Sequence, residues 1–160
     1  MRAIITGSFD PITIGHVEII KKASKLFDEL HVVALLNPEK SYMFSLNEKK
    51  EIMSLALSEL KNVIVDAYDG LTADYMHQHK INKIVRGIRS EADREYEAKL
   101  ADAMKEFDEN FETIFILSDV EFSHISSTCV RELIKGDKSL SGVVPKEVEK
   151  RIIELYKSKK

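Results

Sequence analysis

With a single cysteine, Cys129, the chain can form no intrachain disulfide and no cysteine cluster around a metal. No apolar run reaches the roughly 20 residues needed to cross a bilayer as a helix. Met1-Arg2 leads directly into Ala3-Ile4-Ile5-Thr6, without the basic segment, long apolar stretch and small-residue cleavage site of a secretion signal, so a reducing cytoplasm is the expected compartment. An excess of one charge is missing too. The 27 acidic and 24 basic side chains leave a formal -3, which gives no general attraction to nucleic acid or to an acidic membrane, so anion binding has to be local. Prolines number only three, and no linker, repeat or low-complexity tract divides the sequence. Its 160 residues, 44% of hydrophobic type, suit one domain over 1–160 with a continuous core and a C-terminal helical segment at about 145–157. The basic tail Lys157 to Lys160 reads as a solvated, frayed helix end.

What is present alternates between two periods. Residues 3–6 are a β-branched run ending at Gly7-Ser8, with Asp10-Pro11 close behind: a strand entering a loop. From about His16, Val17, Ile20, Ala23 and Phe27 repeat at helical steps. The uninterrupted run 31–36 predicts a central parallel strand covered on both faces. Ser45 and Glu48 form a plausible capping box for a helix over 46–60. Strands follow at 63–65, 81–85 and 113–117, with helices at 71–79, from Ser90 onward, from Ser126 or Ser127 to Gly136, and after Pro145. The stripe Ala92, Tyr96, Leu100, Ala103 and Phe107 predicts that the helix after Ser90 packs on the sheet. Five strands alternating with helices predict an α/β fold, a single-domain doubly wound five-stranded parallel sheet, with ligands beyond the strand C-termini.

The strand-following loops carry the chemistry. In Thr6-Gly7-Ser8-Phe9-Asp10-Pro11-Ile12-Thr13-Ile14-Gly15-His16, Gly7 lets the backbone approach a ligand, and Gly15 clears a helix start that could face a triphosphate. His16, Ser8 and Thr13 offer hydrogen-bond donors for charge building on phosphate oxygens. The glycines do not make a G-x-G-x-x-G fingerprint, and no G-x-x-x-x-G-K-[ST] occurs, which argues against a dinucleotide-binding or P-loop site. Arg86 and Arg89, separated by Gly87-Ile88, suit phosphates. Ser126, Ser127 and Thr128 at a helix start combine hydroxyls with free amides. Cys129 reads as inert packing and Arg131 as a surface residue.

Thr13-Ile14-Gly15-His16 resembles the [HT]-x-G-H signature of the nucleotidylyltransferase superfamily. Together with the surrounding GSFDPIT, with Val85-Arg86-Gly87-Ile88-Arg89 and the Asp93 to Glu97 segment, and with Ile125-Ser126-Ser127-Thr128, it is similar to the phosphopantetheine adenylyltransferase family of bacterial coenzyme A synthesis over nearly the whole chain. The resemblance implies a Rossmann-like fold and transfer of AMP from ATP, accompanied by Mg2+, to 4'-phosphopantetheine, giving 3'-dephospho-coenzyme A. It implies that His16 and Ser8 meet the transferring phosphate, Lys40 meets both phosphates, Arg86 holds the acceptor and Arg89 the nucleotide. Phe9, Gly87, Glu97, Ser126, Ser127 and Thr128 fall on the nucleotide side, with Leu71, Thr72 and Met104 toward the acceptor. No permanent protein metal site is expected. The resemblance also implies a homohexamer, consistent with surplus apolar surface at Phe9, Tyr42 and Phe44, and coenzyme A as a feedback ligand.

One position departs from the family: Met104 stands where an asparagine contacts the pantetheine arm, and a thioether cannot replace an amide. The closest rival is a nicotinate or nicotinamide mononucleotide adenylyltransferase, which shares the first and last motifs. A cytidylyltransferase fits less well, because the chain lacks an RTEGISTT-like segment. From another class, a catalytically silent nucleotide-binding protein is opposed by the presence of His16, Ser8, Lys40 and both arginines.

Overall fold

A computed structural model describes residues 1–160. The β-branched runs become strands and the three- and four-residue repeats become helices, alternating as far as β5 and ending in helical segments: β1 (Arg2–Gly7), α1 (Ile14–Ser24), β2 (Glu29–Leu35), α2 (Leu46–Ala56), β3 (Val63–Tyr68), α3 (Thr72–His79), β4 (Lys83–Ile88), α4 (Glu91–Lys105), β5 (Glu112–Leu117), a short 3-10 turn (Val120–Phe122), α5 (Ser127–Lys135) and α6 (Lys146–Lys157). All strands are parallel, in the order β3-β2-β1-β4-β5, so the sheet is doubly wound as expected.

Side-chain alternation sorts the core into two layers. Ala3, Ile5, Leu30, Val32, Val85 and Ile116 point to one face and pack with α1, α2, α5 and α6, where Ile20, Ile52, Val130 and Ile152 are buried. Ile4, Val33 and Ile84 point to the other face and meet Ala73, Tyr75 and Met76 of α3, with Met104 of α4 packed against them. No helix of the chain is long and apolar enough to cross a membrane.

Several boundaries differ from the sequence reading. β4 runs to Ile88 because its ladder with β5 continues to Ile88↔Leu117, which puts Arg86 and Gly87 inside a strand. α2 ends at Ala56, and Pro145 occupies the N-cap of α6. α4 departs most. Its stripe buries no residue, and Tyr96 and Phe107 are 63% and 56% exposed, because α4 leaves uncovered the outer face of the edge strand β5, where Phe115 and Leu117 are also exposed. Surplus apolar surface therefore lies at β5 and α4. Phe9 and Phe44 do not supply it, since both are buried in the main core. Cys129 is exposed. Lys159 is bound rather than frayed, with Nζ donating to Met43 O at 2.7 Å and pairing with Glu48.

Candidate active site

The strands part where the winding reverses. β1 pairs with β2 along six residues, but its ladder with β4 has the single register Ile4↔Ile84. Beyond that pair a cavity of about 390 Å³ opens between the C-terminal ends of β1 and β4, the switch-point position at which open α/β sheets take ligands. Arg86 spans the gap, its Nη1 donating to Thr6 O at 3.1 Å and to Thr6 Oγ1 at 3.0 Å. Gly7 and Gly87 line the opening. A Cβ on Gly7 would lie 3.3 Å from the Phe9 ring, and one on Gly87 would lie 3.0 Å from Ile19, so both positions resist a side chain.

Two helix N-termini face this space. Thr13 caps α1, its Oγ1 accepting from His16 N at 3.3 Å, while Thr13 N donates to His16 Nδ1 at 3.0 Å. A backbone amide can only donate, so Nδ1 is the acceptor and the proton of the neutral ring sits on Nε2. Nε2 makes no hydrogen bond within the chain, and His16 lines the cavity. Burial, followed by the nearby Arg89 charge, lowers its pKa from 6.5 to about 4, so the ring is a neutral donor at neutral pH. The Phe9 ring meets it edge-on at 5.1 Å. At α5, Ser126 is the cap and accepts from Cys129 N at 3.1 Å, and Ser127 Oγ donates to Pro11 O at 2.8 Å. Their hydroxyls hold the α5 turn and bind it to the first loop, and the free helix-start amides remain for an anion. Lys22 steadies the neighbouring wall, donating to Leu117 O at 2.9 Å and to Asp119 at 2.8 Å beside Ser118 of the cavity.

The cationic side is equally constrained. Arg89 Nη1 donates to Ile125 O at 3.3 Å, and its Nε stands 3.5 Å from Asp93. Arg86 Nε is 3.5 Å from Glu97 Oε2, an ion pair without hydrogen-bond geometry, and that oxygen is buried without a partner. Burial pushes the Glu97 carboxyl above its ordinary value, against the pull of Arg86, and lowers Arg86. An additional donor reaching Glu97 would be well received.

Of the residues proposed from sequence, Phe9, His16, Gly87, Arg86, Arg89, Glu97, Ser126, Ser127 and Thr128 converge on the cavity. Ser8 is half-buried between Gly7 and Phe9 in the chain but is not on the cavity wall. Lys40 is exposed in the loop between β2 and α2. Leu71, Thr72 and Met104 stand apart from the cavity too. Leu71 caps α3 without a side-chain bond, so the first-turn amides of α3 lack a side-chain cap, and Met104 packs against the smaller core layer that includes Ala73 and Met76. Sequence reasoning missed Thr6, Ser118 and above all Asp10, to which it gave no role beyond the loop after β1. Asp10 is 2% exposed, and its two carboxylate oxygens accept the amides of Met43 and Phe44, each at 2.9 Å. Arg131, read as a surface residue, donates to Asp10 O at 2.8 Å. The one available signal was an acid set between two apolar neighbours, Phe9 and Pro11.

Residues 4–133 match the cytidylyltransferase-like family model, which places the chain among nucleotidyltransferases, as the switch-point cavity with its two helix starts and arginine pair does. Phosphopantetheine adenylyltransferase of Shouchella clausii is 37% identical over 156 residues, covering 98% of each chain, and that of Petrotoga mobilis is 41% identical over 152 residues, covering 95% of this chain and 94% of the other. The chain belongs to the phosphopantetheine adenylyltransferase family. A crystal structure from Vibrio parahaemolyticus, assigned to nicotinate-nucleotide adenylyltransferases, superposes with TM-score 0.72 at 17% identity, covering 97% of this chain and 94% of the other, which shows a shared fold.

The lowered His16 pKa has a measurable consequence. In the unfolded chain the imidazole takes up a proton near pH 6.5, but in the folded site not until about 4, so stability is complete above 6.5 and falls as pH drops through this window. Urea unfolding of the ligand-free protein at pH 7 and pH 5 is expected to show a stability loss of up to about 1.4 kcal/mol per pH unit from this group, reduced in His16→Asn. An equal slope in both proteins would refute the assignment.

Proposed function

We propose that the chain transfers the adenylyl group of ATP to 4'-phosphopantetheine, giving 3'-dephospho-coenzyme A and pyrophosphate. The observation that carries this reading is the cavity at the β1/β4 parting, where the α1 and α5 N-termini, Arg86, Arg89 and the unpartnered His16 Nε2 converge. Near-full-length similarity to enzymes of that name supports the choice of acceptor.

The chemistry is direct in-line attack of the acceptor phosphate oxygen on the α-phosphorus of ATP, with pyrophosphate leaving and no covalent enzyme intermediate. Phosphate is a competent nucleophile at neutral pH, so the protein aligns two anions and needs no general base. Arg89, the α5 amides and Ser126 to Thr128 hold the triphosphate, with Phe9, Gly87 and Glu97 on the nucleoside side. His16 Nε2–H donates to the transferring phosphate as charge grows on it, and Ser8, next to the cavity-lining Gly7 and Phe9, would have to turn in from the first loop to add a second donor. Arg86 and Lys40 receive the acceptor phosphate, Lys40 reaching in from the β2–α2 loop as a mobile point charge. ATP would enter as its Mg2+ complex, the ion screening the charge of the phosphates. Beyond the phosphate, the uncapped start of α3 at Leu71 and Thr72 offers amides to the pantetheine carbonyls, and Met104 offers apolar contact in place of the family's asparagine. Coenzyme A, which shares that arm, is the expected feedback ligand. The exposed Phe115, Leu117, Tyr96 and Phe107 support assembly as a homohexamer.

Three outcomes check this reading. His16→Ala is expected to lower kcat by about 10²–10³ while ATP binding changes little; near-normal turnover of the folded variant removes His16 from the mechanism. In competition at fixed ATP, kcat/KM for 4'-phosphopantetheine should exceed that for nicotinate mononucleotide, and the reverse order would reassign the acceptor. Light scattering over a concentration series should give six copies per particle, whereas a monomer throughout would defeat the assembly and leave the chemistry standing.

A further inference from the structure

Outside the cavity, one charged group is buried without any use in the chemistry above. Lys49 of α2 is 0% exposed, and its Nζ has no hydrogen-bond partner. Stripping an ammonium of water without replacing its hydrogen bonds opposes folding. A methionine of similar length would fill the same space without that cost, so packing does not account for the charge.

What the ammonium touches suggests its use. It lies 3.6 Å from the centroid of the Tyr42 ring, a cation over a π face in a site shielded from water. The Tyr42 hydroxyl accepts the amide of Asn37 at 2.8 Å, which closes the beginning of the 37–44 loop. The end of the loop hangs from Asp10, whose carboxylate accepts the Met43 and Phe44 amides. Asp10 is also the acidic group whose charge favours the Lys49 ammonium against its burial. Arg131 is the nearer cation, with Nη1 3.8 Å from the Asp10 carboxylate, and Lys49 adds its charge from beyond ion-pair distance. Buried charges of opposite sign therefore grip the two ends of a loop whose exposed middle carries Lys40.

We propose that Lys49 is a positioning residue for adenylyl transfer: its buried ammonium holds the Tyr42 ring and, with Arg131, offsets the charge of Asp10, so that the 37–44 loop presents Lys40 in one place. This rests on the reading of Lys40 as the phosphate-contacting lysine. Holding Lys40 at the meeting point of two phosphates acts on the transition state more than on either ground state, so turnover rather than ATP affinity should respond.

The test is a double-mutant cycle on the full chain with Lys49→Met and Lys40→Ala, following kcat, KM for ATP and thermal unfolding. Lys49→Met is expected to retain or raise the unfolding temperature while lowering kcat about tenfold with little change in KM for ATP. In the Lys40→Ala background it should have no further effect on kcat. Hydrogen exchange at Asn37 and Met43 should quicken in Lys49→Met while the β1 and β2 amides keep their protection. A Lys49→Met enzyme with normal kcat, or one equally impaired with and without Lys40, overturns the proposal. So does a variant that fails to fold, since the ammonium would then be needed for stability itself. Normal turnover in Lys40→Ala alone instead defeats the reading of Lys40, and this proposal with it.

Discussion

The parting of β1 from β4 is the constraint from which the site follows. Two parallel strands that stayed paired to their ends would leave no room for a ligand. Here the ladder stops after Ile4↔Ile84, and the groups that would have paired are met instead by a side chain, with Arg86 donating across the gap to Thr6. This arises from the winding. The crossovers after β1 and β2 place α1 and α2 on one face, and those after β3 and β4 place α3 and α4 on the other, so no helix covers the seam from above. Gly7 and Gly87, one on each side, keep it open.

Around that seam the protein concentrates donors and few free charges. Helix-start amides, hydroxyls and a neutral imidazole offer hydrogen bonds without requiring a counter-anion of their own, and each arginine is held beside a carboxylate. Glu97 records the tension in this arrangement. It is buried with one oxygen unsatisfied, and its carboxyl is raised by burial against the attraction of Arg86. A ligand that brings a hydroxyl to Glu97 and phosphate to Arg86 would relieve both groups together.

Much of this was legible in the sequence because the relevant signals are local. Run length and period gave the strand and helix order, and Ser45 and Ser126 stand where caps were expected. The cavity-lining residues fall in short runs of the chain and so came as motifs. What stayed hidden depends on distant partners. Asp10 looks like a turn residue until the Met43 and Phe44 amides, more than thirty positions away, are brought to it. Tyr96 and Phe107 have the spacing of a packed face, but periodicity reports only that a helix has an apolar side and not what covers it. Lys49 sits among charged neighbours in α2, and its burial follows from where the loop before it folds back.

The contact between Lys159 and the β2–α2 loop carries a practical consequence. Its ammonium donates to Met43 O, next to the amide that hangs from Asp10, and lies 5.0 Å from the Phe44 ring. An affinity tag or fluorescent fusion attached directly after Lys160 would pull on this anchor, only a few residues along the chain from Lys40. A tag placed at that end therefore perturbs the β2–α2 loop, and engineered versions should carry a spacer there or be labelled elsewhere.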